Sequence, residues 1–94
     1  MTIKELKQHL ENDSLTDEQR GTYLRSLMKI LTPLSVNELL QYQQQNMGQG
    51  KPWEEYRKGQ NAVMLQCIGL ELHDLGKEVR SALQLPPLTE DTEL

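Results

Sequence analysis

Several residue types are scarce in this chain, and each scarcity closes off a class of protein. There is no phenylalanine, a single cysteine and no basic run longer than Arg57-Lys58, which has Glu54 and Glu55 beside it. Aromatics make up 4% of residues, so a core must be assembled from Leu, Ile, Val and Met, with Trp53 and three tyrosines as the only aromatic bulk. Cys67 alone cannot form an internal disulfide framework, and this fits a reducing compartment. A DNA or RNA binder normally carries a basic patch that neutralises phosphates, and none is visible here. No apolar run approaches the ~20 residues that cross a bilayer, so no membrane partner is expected. The opening Met1-Thr2-Ile3-Lys4-Glu5 is polar and amphipathic, unlike a signal peptide, and a cytoplasmic location is expected.

The catalytic signatures are missing too. Gly48-Gln49-Gly50-Lys51 ends in lysine, but no strand precedes it and no Ser or Thr follows, so it reads as a loop and not as a phosphate cradle. Cys67 lies in the most apolar stretch of the chain, where a core cysteine is the expectation. Glu71, His73 and Asp74 do not converge on one helical face as a metal site requires, and they read as a solvated face. No catalytic residue, cofactor or metal is therefore expected, and the chain is read as a non-enzyme.

What is present is helical spacing along most of 94 residues, the length of one modest domain. Thr2 with Glu5 and Thr16 with Gln19 match capping boxes, in which a hydroxyl and a side-chain carbonyl each satisfy an orphan backbone donor. They predict helices over 3–11 and from about 17 to 31, the second closed by Pro33. Ser35 with Glu38, and Leu34 with Leu39 as a staple, predict a third start, with Val36, Leu39, Leu40 and Met47 on its buried side. A fourth helix from Pro52 to about Leu75 is apolar over most of its circumference and should form the central post. Gly76 either stops it or kinks it into a short fifth helix over 77–84, and Pro86-Pro87 ends any helix. The expected architecture is all-α: a small compact bundle of four or five helices, three short ones packed on the long apolar fourth. Residues 1–85 form one helical domain, and 86–94 an acidic, proline-containing tail.

The net charge is −4, and Glu90, Asp91 and Glu93 supply three of the excess negatives, leaving a nearly neutral body. Two places stand out as binding surfaces. Trp53, Tyr56 and Arg57, with Lys58 beside them, are residue types enriched at interaction hot spots; Trp53 is either such an anchor or a cap on one end of the core. The second is the tail with Glu90, Asp91 and Glu93, acidic enough for a basic groove, while Thr92-x-Leu94 fits strand addition into a PDZ-type groove. The stretch Trp53-Glu54-Glu55-Tyr56-Arg57-Lys58-Gly59-Gln60 resembles segments in short proteins encoded by tailed phages. That resemblance implies a small accessory protein that inhibits a host enzyme or defence complex in the host cytoplasm, or a phage structural or assembly role.

The expected function is a non-enzymatic protein-binding module, an accessory or inhibitor protein whose partner is another protein. Three alternatives stand beside it. Glu5, Glu11, Asp13, Asp17 and Glu18 could form an acidic row that mimics nucleic acid. The apolar fourth helix could support a homo-oligomeric scaffold. Helices two and three, with the polar run Gln41 to Asn46, could form a helix-turn-helix, although nucleic acid is the less expected partner.

Overall fold

A computed structural model describes all 94 residues as five helices with no strand. These are α1 (Ile3–Glu11), α2 (Asp17–Ile30), α3 (Pro33–Asn46), α4 (Trp53–Leu72) and α5 (Asp74–Ala82). The particle measures 40 × 25 × 18 Å, and its long axis exceeds the ~30 Å of a 20-residue helix by about a third. α4 packs against α1, α3 and α5 and is the central post that its apolar circumference predicts.

The first two capping boxes form as expected. The Thr2 and Thr16 hydroxyls accept from the Glu5 and Gln19 amides, whose side chains accept in return from the two cap amides. The third start differs. α3 begins at Pro33, two residues before the expected cap, and Ser35 is buried inside the helix, donating to the Cys67 carbonyl oxygen at 3.4 Å. Proline suits a first helical position because its missing N–H would be unpaired there anyway. The cap residue Thr32 turns its hydroxyl away from its own helix to Glu71 Oε1, at 2.7 Å.

α4 also ends earlier than expected. His73 closes α4 and caps α5, so the break precedes Gly76. Gly76 lies within α5 and is buried against the end of α4. A Cβ there would collide with the Leu70 carbonyl oxygen and come within 2.8 Å of the Glu71 Cα, so glycine is what lets α5 approach. The expectation of a stop or kink at this residue is corrected to a close-packing role.

The core joins Ile3, Leu6 and Leu10 of α1 to Leu27, Leu39, Met64 and Ile68, with Leu88 from the final segment. Cys67 is fully buried, which pushes its thiol up to about 11. Leu40 and Met47, expected on the buried side of α3, are exposed, because the apolar and aromatic side chains of that helix packed in the core are Val36, Leu39 and Tyr42.

The least anticipated feature lies at the two-residue turn between α2 and α3. Glu71, expected on a solvated face, has no exposed surface and pairs with Arg80 at 3.0 Å. Its carboxylate also accepts from the Thr32 amide at 2.8 Å, at the start of α3. Arg80 donates to the Ile30 carbonyl oxygen at the end of α2, also at 2.8 Å. The anion thus meets a positive helix N-terminus and the cation a negative C-terminus, so each charge is matched twice. Burial pushes the Glu71 carboxyl up, but the Thr32 hydroxyl and amide, with Arg80, outweigh it and leave it below the ordinary carboxylate range. The sequence signal is register: Met64, Cys67, Ile68 and Glu71 follow the i, i+3, i+4, i+7 spacing of one buried stripe.

Candidate functional site

The turn from α3 into α4 passes through Gly48 and Gly50, at φ +79° and +63°, a left-handed conformation that glycine adopts without a Cβ clash. It delivers Trp53 to the first turn of α4. Trp53 stacks on Tyr56 with ring centroids 5.4 Å apart and planes 25° apart, and Tyr56 lies 6.0 Å from Tyr42 of α3. Three of the chain's four aromatics therefore form one row across the α3–α4 junction. Tyr42 anchors it: its hydroxyl donates to the Tyr56 carbonyl oxygen at 2.9 Å and rests against Gly59, where any Cβ would collide with it. Partial burial raises the Tyr42 phenol above its ordinary value.

The outer end of the row is open. Trp53 is 53% exposed and Met47 69%, so Trp53 does not cap the core. Met47, Gly48, Lys51, Trp53 and Tyr56 line a shallow concavity of about 390 Å³. The Lys51 ammonium donates to Asn46 Oδ1 at 2.7 Å along its rim.

Behind the row the polar side chains are tied down. Trp53 donates its indole N–H to Asp17 Oδ2 at 3.2 Å. Asp17 Oδ1 accepts from Arg20, which also donates to Asn61 Oδ1 and to the Leu15 carbonyl oxygen. Asp13, at φ +50° after α1, accepts from Arg57 and from Asn61, each at 2.8 Å. The Arg57 hydrogen bond holds the Asp13 carboxyl below its usual range, and the same contact raises Arg57. The structure thus brings Trp53, Tyr56 and Arg57 together, with Arg57 facing inward to Asp13. Lys58 lies 3.8 Å from Glu54 on the exposed side of α4.

The acidic candidates lie elsewhere. Glu90 reaches Lys7 at 3.2 Å and Glu93 reaches the Met1 nitrogen at 3.2 Å, both on α1 or just before it; Asp91 is exposed. Of the acidic row considered as a phosphate mimic, Glu5 is held by its capping box and Asp13 and Asp17 by arginines, while Glu11 and Glu18 stay exposed. Met47 and Tyr42 belong to the aromatic surface and escaped sequence reasoning. Met47 follows a run of glutamines and directly precedes Gly48, and that position at a helix end is the one signal that it leaves the core.

No helix is long and apolar enough to cross a membrane. No known protein family, curated protein or solved structure matches the chain.

Proposed function

We propose that this chain is a non-enzymatic protein-binding module whose partner docks on the Trp53–Tyr56–Met47 surface. The observation that carries the reading is the exposure of the chain's one tryptophan, stacked on a tyrosine and beside an exposed methionine, at the mouth of a concavity. Large apolar side chains grouped on a surface are costly to leave in water and characteristically mark interaction sites. Trp and Tyr supply wide contact area with few rotatable bonds, so they lose little entropy when a partner orders them. Met47 adds an unbranched, polarisable side chain that can refit to the partner's surface. Tyr42 and the Asp17 hydrogen bond hold the row in place, so the partner meets a preorganised platform. In this reading an accessory or inhibitory role consists of occupying a partner's apolar pocket with Trp53.

The test is capture of a partner by immobilised wild-type protein and by Trp53→Ala and Met47→Ala, in low and high salt. The expected result is a discrete partner kept in high salt by the wild type and released by Trp53→Ala, whose affinity falls tenfold or more, about 1.4 kcal/mol. Both variants should keep the helical circular dichroism of the wild type. A partner bound equally well by Trp53→Ala would sink the reading. Binding abolished by salt and indifferent to Trp53 would replace it with acidic mimicry.

A further inference from the structure

Residues 85–94 run back along the molecule and cover the start of α1. Carbonyl oxygens of Glu90 and Thr92 accept from the Lys4 and Ile3 amides, at 3.0 and 2.9 Å, which are two of the orphan donors at the α1 N-terminus. The Leu94 amide donates to the Met1 carbonyl oxygen at 3.0 Å, and Thr2 and Glu93 pair as a single antiparallel bridge. Leu88 is the buried anchor, 2% exposed, in the core that holds Ile3 and Leu6. Lys7 pairs with Glu90. Electrostatically the match is one-sided, with the positive end of a helix and a lysine on one side and an acidic strap on the other.

The connection into this strap is conformationally awkward. α5 ends in a Schellman arrangement: the Leu85 amide donates to the Arg80 carbonyl oxygen and the Gln84 amide to that of Ser81. The residue just after the helix cap needs a left-handed backbone in this arrangement, and Gln84 takes it at φ +59°. The same arrangement ends α1, where Asp13 takes the left-handed place at φ +50°, and a short acidic side chain tolerates this conformation far better than glutamine does. Asp13 is also held by Arg57 and Asn61, whereas Gln84 is exposed. Pro86 and Pro87 fix the next two φ angles, which concentrates any rearrangement on Gln84 and Leu85.

We propose that the chain self-associates by exchanging this strap: residues 85–94 of one copy dock on α1 and Arg80 of a second copy, and the reverse. The occupant of the α1 surface is therefore another copy's strap, identical in chemistry to the one it replaces. Every contact of the strap beyond the hinge, including the Pro86 carbonyl oxygen on Arg80 Nε, is remade across the pair. The Leu88 anchor and the Lys7–Glu90 pair carry over unchanged. What differs is the hinge, where each copy can release Gln84 from its left-handed backbone, and that release favours the exchanged pair.

The native Lys7–Glu90 contact supplies the test. Equal amounts of unlabelled and ¹⁵N-labelled protein are unfolded together, refolded at millimolar concentration and separated by size. A carbodiimide then joins the Lys7 ammonium to the Glu90 carboxylate as an amide with loss of water, and peptide mass spectrometry reads the isotopes on the two halves. The expected result is a dimer fraction in which about half of the Lys7–Glu90 peptides are mixed-isotope, as random pairing requires, while the monomer fraction gives only like-isotope peptides. A dimer fraction with only like-isotope peptides would overturn the proposal, as would the absence of any dimer. Gln84→Gly, which accepts the left-handed backbone, should keep the fold and weaken dimerisation about tenfold or more, since two hinges contribute per dimer. Undiminished exchange in that variant would show that hinge strain does not drive it and would overturn the mechanism.

Discussion

Arg20 and Arg80 are both buried, at 1% and 4% exposure, and each ties together segments distant in the chain, yet their charges are neutralised differently. Arg80 faces one carboxylate, Glu71, which has no route to water; the other Arg80 contacts are the carbonyl oxygens of Ile30 and Pro86. Arg20 shares Asp17, whose side chain is 61% exposed, and lies 3.8 Å from Asp13, which is already bonded to Arg57. The first pair is closed and the second leaks to solvent. A closed pair gains more from each hydrogen bond because the local dielectric is low, but it leaves the survivor with no counter-charge when one member is removed. In the leaky cluster, water can hydrate the Asp17 carboxylate when it loses its partner.

The sharpest way to break that contrast is at Glu71. Glu71→Ala strands the Arg80 cation in the interior and deprives the Thr32 amide of its acceptor, so it should cost about 3–5 kcal/mol in urea unfolding. Glu71→Gln keeps an oxygen for Thr32 but removes the charge and the oxygen that accepts from Arg80; it should fall between the alanine variant and the wild type. Loss as small as that of a surface substitution would show that the pair is no tighter than the Arg20 cluster.

Acid titration separates the two regions further. The folded pKa of Glu71 lies below its ordinary value, as does that of Asp13. A carboxyl depressed in the folded state adds stability that is complete above its unfolded pKa and disappears as pH falls through the folded one. Wild-type stability should therefore decline from about pH 4.5 downward, near the unfolded pKa of a glutamate. Glu71→Gln should decline less over the same interval, because it has lost the one fully buried depressed carboxyl and retains only the exposed Glu5 and the half-buried Asp13. Urea midpoints measured from pH 7 to 3 check this, and parallel acid limbs would assign the depression to a group other than Glu71.

At the leaky cluster Arg20→Met should cost about 1–3 kcal/mol, the range for leaving buried acceptors unpaired. The acceptors stranded are the Asn61 amide oxygen and the Leu15 carbonyl oxygen, while Asp17 turns to water. A loss matching that of Glu71→Ala would mean that Arg20 is as closed electrostatically as Arg80.

These two regions also mark where sequence and structure part. The helices, the two threonine caps and the central position of α4 were legible because capping boxes and apolar spacing are local signals. Glu71 and Arg80 were not, because a charged residue on a buried stripe is recognisable only once its counter-charge is known, and that partner sits on another helix. The α3 start was misread for the same reason: Thr32 serves Glu71 across the bundle, and no local rule weighs that bond against the Ser35–Glu38 box. At the candidate site, Trp53 with Tyr56 followed from i, i+3 spacing, whereas the inward turn of Arg57 depended on Asp13, 44 residues away. Periodicity places Met47 in the core only if it is carried past Asn46, where α3 ends.

The smallest expected effect on stability is at Trp53, and it follows from the same contrast. Trp53 touches the leaky cluster at Asp17, its most exposed member: the indole donates to Asp17 Oδ2 while Arg20 holds Oδ1. Removing the ring exposes a carboxylate oxygen that water already reaches, and it leaves Tyr56 stacked near Tyr42 with its carbonyl oxygen still bonded. Trp53→Ala should therefore shift unfolding by no more than about 0.5 kcal/mol, as surface substitutions do. The measurement is a urea midpoint for the variant beside Tyr42→Phe, which removes the Tyr42–Tyr56 hydrogen bond and should cost about 1 kcal/mol. If Trp53→Ala proves the more damaging of the two, the tryptophan is holding the Asp17–Arg20 cluster closed, and its exposure would reflect a structural strut and not a surface kept open for a partner.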